Sequence, residues 1–349
     1  MTHPFLSALG AKNPVLLAPL GGGPSTPELV AAVSGAGGFG ILGAPYLSPQ
    51  EIRDQAARIR SLTSRPFGVN LFAGGHPPSL SADPGPMLAV LAPIHSRLGL
   101  PPPRAPTLQP DPFPAQLEAV LEARPAAYTF TFGVPPPDAL AALRGRGILT
   151  IGTATTADEA AILARAGVDA VMAQGAEAGG HRGTFAVPFE AAMVDRLELV
   201  RAVSSRVALP VVAAGGIMDG EDLRASLEAG AAGAALGTAF LACPESGAAE
   251  AYKRALLAAR ADRTVVTRAF SGRPARGLEN EFIRSLSGHE ADILPYPLQN
   301  ALTRTMRGAA ARLGDAGYLS LWAGQGVARI RPMPAAELVR LLVEELRQA

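Results

Sequence analysis

The chain has 349 residues, 48% of them hydrophobic and 17% charged, with a formal net charge of +1. That length holds one large α/β domain with an accessory region, or two domains, while the balanced charge excludes a polybasic nucleic-acid surface and an acidic tail. A single cysteine, Cys243, excludes an internal disulfide and a cysteine zinc cluster, and it fits a reducing cytoplasm.

The N-terminal stretch "MTHPFLSALGAKN" lacks the basic start and apolar run of a signal peptide, so no export is expected. Only Lys12 and Lys253 among the 31 basic residues are lysine, which reads as composition bias rather than phosphate recognition. Next, Gly35 to Gly40 satisfy the G-x-G-x-x-G pattern of dinucleotide-binding proteins, with Asp54 further on. That fingerprint works only after a strand and at the start of a helix, where the pyrophosphate meets the helix N-terminus. Here Thr26 is an N-cap, Pro27 opens a helix and the glycines lead into a strand, so the order is reversed. The Rossmann reading is rejected.

Short apolar runs at 15–18, 39–42, 67–71, 128–132, 148–151, 170–173, 211–214 and 234–236 alternate with helical patterns such as 49–62, 114–123, 156–166 and 220–229. Alternation of this kind predicts a parallel sheet with crossover helices, and eight such strands fit a closed (β/α)8 TIM barrel of about 250 residues. The surplus falls at 74–111, rich in proline and glycine, and at 244–319. The predicted division is therefore a barrel built from 1–73 and 112–243, a lid insertion at 74–111, a smaller and mainly helical substrate or lid domain at 244–319, and a return to the barrel at 320–349. Both additions follow C-terminal ends of strands, the edge where barrel enzymes build active sites. The glycine-rich run 229–244 is too weakly apolar for a membrane span, and a buried strand with its loop explains it better.

Loops after strands seven and eight of such barrels commonly bind phosphate through backbone N–H groups. Gly215 and Gly216 follow the seventh predicted strand, and Leu236, Gly237 and Thr238 end the eighth. The stretch "MAQGAEAGGHRGTF" ends the sixth, placing Gln174, Gly179, Gly180 and His181 on the same edge. An amide there can bond a cofactor ring, and a histidine can move a proton. Asn70 ends the third strand, and Pro19, Leu20 and Gly21 end the first, where glycines permit close approach to a flat ring. His3, His76, His95 and His289 share neither this setting nor metal spacing, so no metal is expected.

Taken together, "APLGGGPSTPELVAAVSGAGGFG", "FGVNLF", "TFTFG", "GTATTADEA", "QGAEAGGHRGTF", "PVVAAGGIMDG", "LGTAFL" and "YPLQNALTR…LWAGQG" resemble the FMN-dependent nitronate monooxygenases, formerly called 2-nitropropane dioxygenases, across nearly the whole chain. The resemblance implies FMN, with its phosphate around Gly216, Leu236, Gly237 and Thr238, and with Asn70, Gln174 and Gly179 near the ribityl chain or ring. It implies that His181 is the active-site histidine, which either removes the α-proton of a nitroalkane or positions a nitronate. It further implies oxidation of a small nitronate, such as propionate 3-nitronate, by O2 through a flavin semiquinone to a carbonyl compound plus nitrite or nitrate. No nucleic acid or membrane partner is implied, and a homodimer stays open.

The sequence departs from the family where Thr131 replaces a second histidine of some members, and where Asn300 and Arg304 replace a tyrosine and a lysine after Tyr296. Tyr296 and Arg304 either meet an anionic substrate or belong to a packed helix; Trp322 either lines the pocket or anchors the returning chain. Two other readings compete: an FMN-dependent enoyl-acyl-carrier-protein reductase driven by NAD(P)H, and a flavin-free phosphate-binding lyase or isomerase. The last usually needs a lysine or carboxylate pair at strand ends, and Lys12 precedes the first strand.

Overall fold

Eleven strands are found among the described residues: β1 (Val15–Leu17), β2 (Gly40–Gly43), β3 (Phe67–Phe72), β4 (Ala127–Thr131), β5 (Leu149–Ala154), β6 (Ala170–Gln174), β7 (Gly180–His181), β8 (Val211–Ala214), β9 (Gly233–Leu236), β10 (Thr264–Thr267) and β11 (Ala275–Leu278). The computed structural model describes residues 3–73, 82–107, 110–260 and 264–349. The part of the 74–111 insertion at 74–81, with His76, and at 108–109 therefore lies outside the described residues.

Eight strands pair in parallel in the order β1-β9-β8-β6-β5-β4-β3-β2. A parallel bridge between Leu16 and Phe39 joins the two ends, with Leu17 N donating to Phe39 O at 2.9 Å and Phe39 N to Val15 O at 3.0 Å. The chain is thus an α/β protein with a TIM-type barrel. Side chains alternate along each strand. Leu16, Ile41, Ile151, Met172 and Val212 fill the lumen, which the helix Pro4–Leu9 caps with Phe5, Leu6 and Leu9. Their neighbours Val15, Leu17, Leu42, Val69 and Val171 face the surrounding helices. Burial on both faces explains why these strands read as unbroken apolar runs.

Glycines 35–40 do what helix-to-strand geometry asks. The helix Pro27–Gly35, capped by Thr26 Oγ1 on Leu29 N at 3.1 Å, ends before β2. Gly37 has φ +91°, and a methyl at Gly38 would lie 2.7 Å from Val15 O. No side chain fits between helix and barrel there.

Most strand ends differ by a residue from the sequence reading, and two of the differences have a local cause. β4 stops at Thr131, one residue early, because Phe132 turns to φ +74°. β5 runs on to Ala154, past the expected end at 151, since β-branched threonines suit a strand; Thr150 Oγ1 also finds Asp169 Oδ2 at 2.8 Å.

A second apolar core lies beside the barrel. Met87, Leu91 and Ile94 of the helix Gly85–Arg97 pack in it with Leu256, Phe270, Phe282, Leu302 and Met306. Arg97 ties the same helix to Glu281 and donates to Tyr318 Oη at 3.0 Å. Helices alone do not make up this region: β10, β11 and β7 form an antiparallel sheet. The short β7 escapes sequence reading because its partner β11 is remote in the chain.

Candidate active site

Strand residues in the barrel are buried, and at the C-terminal edge that burial lapses. Pro19, Leu20, Thr131, Gln174, Gly179, Gly180, His181, Gly216, Gly237 and Thr238 are half-buried, and Gly21 is exposed. The loops around this rim touch through glycine. A methyl at Gly179 would lie 2.5 Å from Gly324 N, and one at Gly215 3.1 Å from Ala178 N. A methyl at Gly43, at the end of β2, would lie 2.7 Å from both the Leu20 carbonyl carbon and Gly21 N. Gly215 and Gly216 have φ of +115° and +69°, and Gly180 has +75° with open space where a side chain would be.

This edge fits a flat, phosphate-bearing cofactor. Gly237 starts the short helix Thr238–Leu241, whose first N–H groups lack an intrahelical acceptor. Thr238 Oγ1 accepts from Gly324 N at 2.9 Å, which draws the returning chain onto the same rim. Leu236 is buried and its carbonyl takes Ala18 N at 2.9 Å, fixing the loop after β1 beside Gly237. Asn70 is buried within the barrel mouth, its Nδ2 donating to Thr129 Oγ1 at 2.9 Å.

His181 reaches this rim on β7, paired to Ala275 of β11. Gln174 supports it with both ends of its amide: Nε2 donates to His181 O at 3.0 Å, and Oε1 accepts from Gly183 N at 2.8 Å. Beyond it, the carboxylate of the fully buried Glu159 accepts from Thr184 Oγ1 (2.9 Å), Phe185 N (2.6 Å) and Ala186 N (3.0 Å), besides Thr155 N and Oγ1. Burial raises the Glu159 carboxyl, but these donors outweigh it and hold it below the usual range. The His181 Nε2 lies 2.7 Å from Ser271 Oγ. Burial, followed by the nearby Arg273 and Arg307 guanidiniums, pushes the imidazole down to about 3. It is neutral at physiological pH.

Aromatic rings extend from the histidine. Phe132 lies 6.0 Å from it edge-on and Trp322 5.5 Å away. Phe132 continues to Phe72 at 4.7 Å and to Tyr296 at 6.4 Å, and Phe72 meets Tyr46 at 5.6 Å. A positive φ at Phe132 is costly for a bulky residue and aims its ring into this cluster. Arg273 covers that ring at 3.9 Å and donates to Thr184 O at 2.8 Å. Burial, then the neighbouring Tyr46, raises the Tyr296 hydroxyl above its ordinary value.

The remaining sequence candidates separate here. Thr131 faces Thr153, with hydroxyls 3.3 Å apart beneath Gly183. Asn300 is buried and turned inward: its carbonyl and Oδ1 accept from Arg307 Nη2 at 2.9 and 2.8 Å. Arg304 is exposed, 6.0 Å over the Tyr46 ring. Trp322 does both things the sequence left open: its ring flanks His181, and its backbone bridges Gly277 and accepts from Tyr252. Sequence reading missed Tyr46, Ser271, Arg273 and Arg307. "SGRP" at 271–274 carried no pattern of its own, and only the pairing of β7 with β11 brings it to the histidine.

A larger cavity of about 640 Å3, lined by Arg260, Glu279, Glu281, Arg284 and Asp315 among others, includes none of these residues. Among the described residues, no group of three or more His, Cys, Asp or Glu side chains is placed to hold a metal, and no helix is long and apolar enough to cross a membrane.

A parallel barrel with a glycine-built rim and a supported histidine defines an α/β-barrel enzyme acting on a small ligand. Comparison gives the particular family. The nitronate monooxygenase family model matches residues 3–345. A nitronate monooxygenase of Pseudomonas aeruginosa is 45% identical over 99% of this chain and 100% of its own. Among solved structures, a nitroalkane oxidase from Streptomyces ansochromogenes superposes with a TM-score of 0.91 at 42% identity, covering 98% of each chain. FabK from Thermotoga maritima follows at 0.77 and 28%, covering 100% of this chain and 97% of its own. The chain belongs to the nitronate monooxygenase family, a family of flavin-dependent oxidoreductases.

Proposed function

We propose that the protein oxidises alkyl nitronates, propionate 3-nitronate among them, with O2 to carbonyl compounds plus nitrite or nitrate, using FMN. The observation that carries this is the placement of a neutral, doubly supported His181 between the glycine rim and a cluster of aromatic rings with Arg273 over one of them. FMN fits the rim: Gly215, Gly216, Leu236, Gly237 and Thr238 would take the phosphate, with Pro19, Leu20, Gly21, Asn70, Gln174, Gly179 and Gly180 along the rest. Bound there, it supplies an electron acceptor that no amino-acid side chain provides.

The chain's own residues do the remainder. Arg273 supplies positive charge for an anion near His181, and the rings of Phe72, Phe132 and Trp322 keep water away from it. One ring nitrogen of His181 is engaged by Ser271, leaving Nδ1 for the substrate. A histidine held at about 3 is a weak base, so it orients a nitronate already formed rather than deprotonating a nitroalkane. Cys243 is buried, and burial first, then Glu245, pushes its thiol up to about 12, in keeping with an inert residue and a cytoplasmic setting.

One competing reading is a reductase driven by NAD(P)H. Anaerobic absorption spectra of the purified protein separate the two. A flavin spectrum altered by propionate 3-nitronate and unaffected by NADH or NADPH is the expected result; bleaching by a nicotinamide with no response to nitronate would replace this function with the reductase.

A further inference from the structure

Arg273 and Arg307 both sit beside the ring cluster, and among the described residues neither has a carboxylate oxygen within 4.0 Å. Their partners are neutral. Arg273 has Thr184 O and the Phe132 ring; Arg307 has Asn300 O and Oδ1. The Nε of Arg307 is buried and has no hydrogen-bond partner among the described residues. Glu159, whose charge reaches Arg273, already receives five hydrogen bonds.

Burying a guanidinium without a counter-charge costs several kcal/mol, of order, in a medium that excludes water. Burial accordingly pulls Arg307 down to about 10, with Tyr46 opposing and Arg304 adding to the fall. A site that keeps two such cations is completed by an anion from outside. A nitronate brings one negative charge, so a second anionic group is called for. Both arginines lie near enough to His181 to lower its pKa, and their anchors differ. Arg273 adjoins the histidine through Phe132 and through the turn that carries Ser271, whereas Arg307 belongs to the helix Leu298–Leu313 with Asn300, near the Tyr46 end of the ring series.

We propose that Arg307, pre-set by Asn300, recognises a carboxylate at the end of the substrate remote from its nitro carbon, while Arg273 faces the nitronate beside His181. The inference rests on the reading above and assigns Asn300 as a positioning residue. Two acceptors on one Nη2 lock the planar guanidinium, whose charge has no counter-anion within 4.0 Å among the described residues.

The test uses the flavin-loaded protein and two probes of equal chain length, 3-nitropropionate and 1-nitropropane, with binding measured by calorimetry, alongside turnover of their nitronates. Arg307→Met removes the cation. Asn300→Asp keeps the shape but supplies an internal counter-anion, so the fold survives if the first variant fails. Both are expected to weaken 3-nitropropionate at least about tenfold, the scale of one charge-assisted hydrogen bond, and to leave 1-nitropropane within about twofold. Equal losses for both probes, or none for 3-nitropropionate, would overturn the inference. If selective loss of binding occurs in a protein that oxidises no nitronate, the anion site stands and the proposed reaction falls. If nitronates are oxidised and both variants keep wild-type selectivity, only the anion site falls.

Discussion

His181 Nε2 and Ser271 Oγ lie 2.7 Å apart, joining β7 to the turn between β10 and β11. Ser271 also accepts from Arg273 N at 3.3 Å and sits 3.2 Å from Arg273 O, so its single proton has two possible acceptors. The hydroxyl can therefore follow the imidazole: it donates to Arg273 O when Nε2 carries hydrogen, and to Nε2 when it does not. Either way the contact at Nε2 is kept.

Replacing Ser271 by alanine is expected to lower nitronate turnover about tenfold, roughly 1.4 kcal/mol of barrier, with flavin content unchanged. Ser271→Thr, which retains the hydroxyl, should restore most of it. The nitrogen NMR shift of labelled His181 Nε2 reports its hydrogen bond. A shift identical in wild type and Ser271→Ala would show that the contact orients nothing.

His181→Ala should keep its flavin and lose turnover by about 10²-fold, the scale of a mispositioned substrate. Full activity with nitronates would remove the residue from the mechanism.

The same residue couples stability to acid. Its folded value of about 3 lies below the ordinary 6.5, so between these limits the unfolded chain binds a proton that the folded protein refuses. Stability is complete above the ordinary value and is lost as pH falls from there toward the folded value. His181→Gln should lose less stability than wild type between about pH 7 and about pH 4.5, read as urea midpoints. Parallel loss in the two proteins would mean that the imidazole is not kept neutral.

Glu159→Gln leaves an amide facing five donors in a buried site. We expect a loss of about 2–4 kcal/mol in denaturant unfolding, with faster proteolytic cleavage near Thr184. Wild-type stability would show that the loop after His181 does not depend on this carboxylate.

Gly179→Ala puts a methyl 2.5 Å from the Gly324 backbone, where neither chain can yield without displacing the other. The expected outcome is a lower flavin-to-protein ratio on purification and a lower Tm. Unchanged values of both would detach this crossing from the rim.

Much of the barrel was legible in the sequence because its strands are buried on both faces and so are written as continuous apolar runs. The reversed order around glycines 35–40 was legible for a local reason too: an N-cap threonine and a proline mark a helix start in any context. Strand-end glycines, Gln174 and His181 could be found because the C-terminal edge of a barrel is set by strand direction alone. How they are used was less legible. Gln174 bonds the histidine loop, and Asn300, on the helix Leu298–Leu313, accepts from Arg307.

Local propensity, apolar period and the position of polar residues relative to strand ends are properties of neighbouring residues, and these the amino-acid order determined by itself: barrel, rim and histidine. Which distant segments complete the pocket was decided by tertiary structure. Ser271 and Arg273 meet His181 only through the pairing of β7 with β11, and Tyr46 meets Arg304 only when the helix Leu298–Leu313 packs above the end of β2. Burial then sets the charge of the histidine, since an imidazole acquires a value of about 3 only once apolar rings and two arginines have replaced its water.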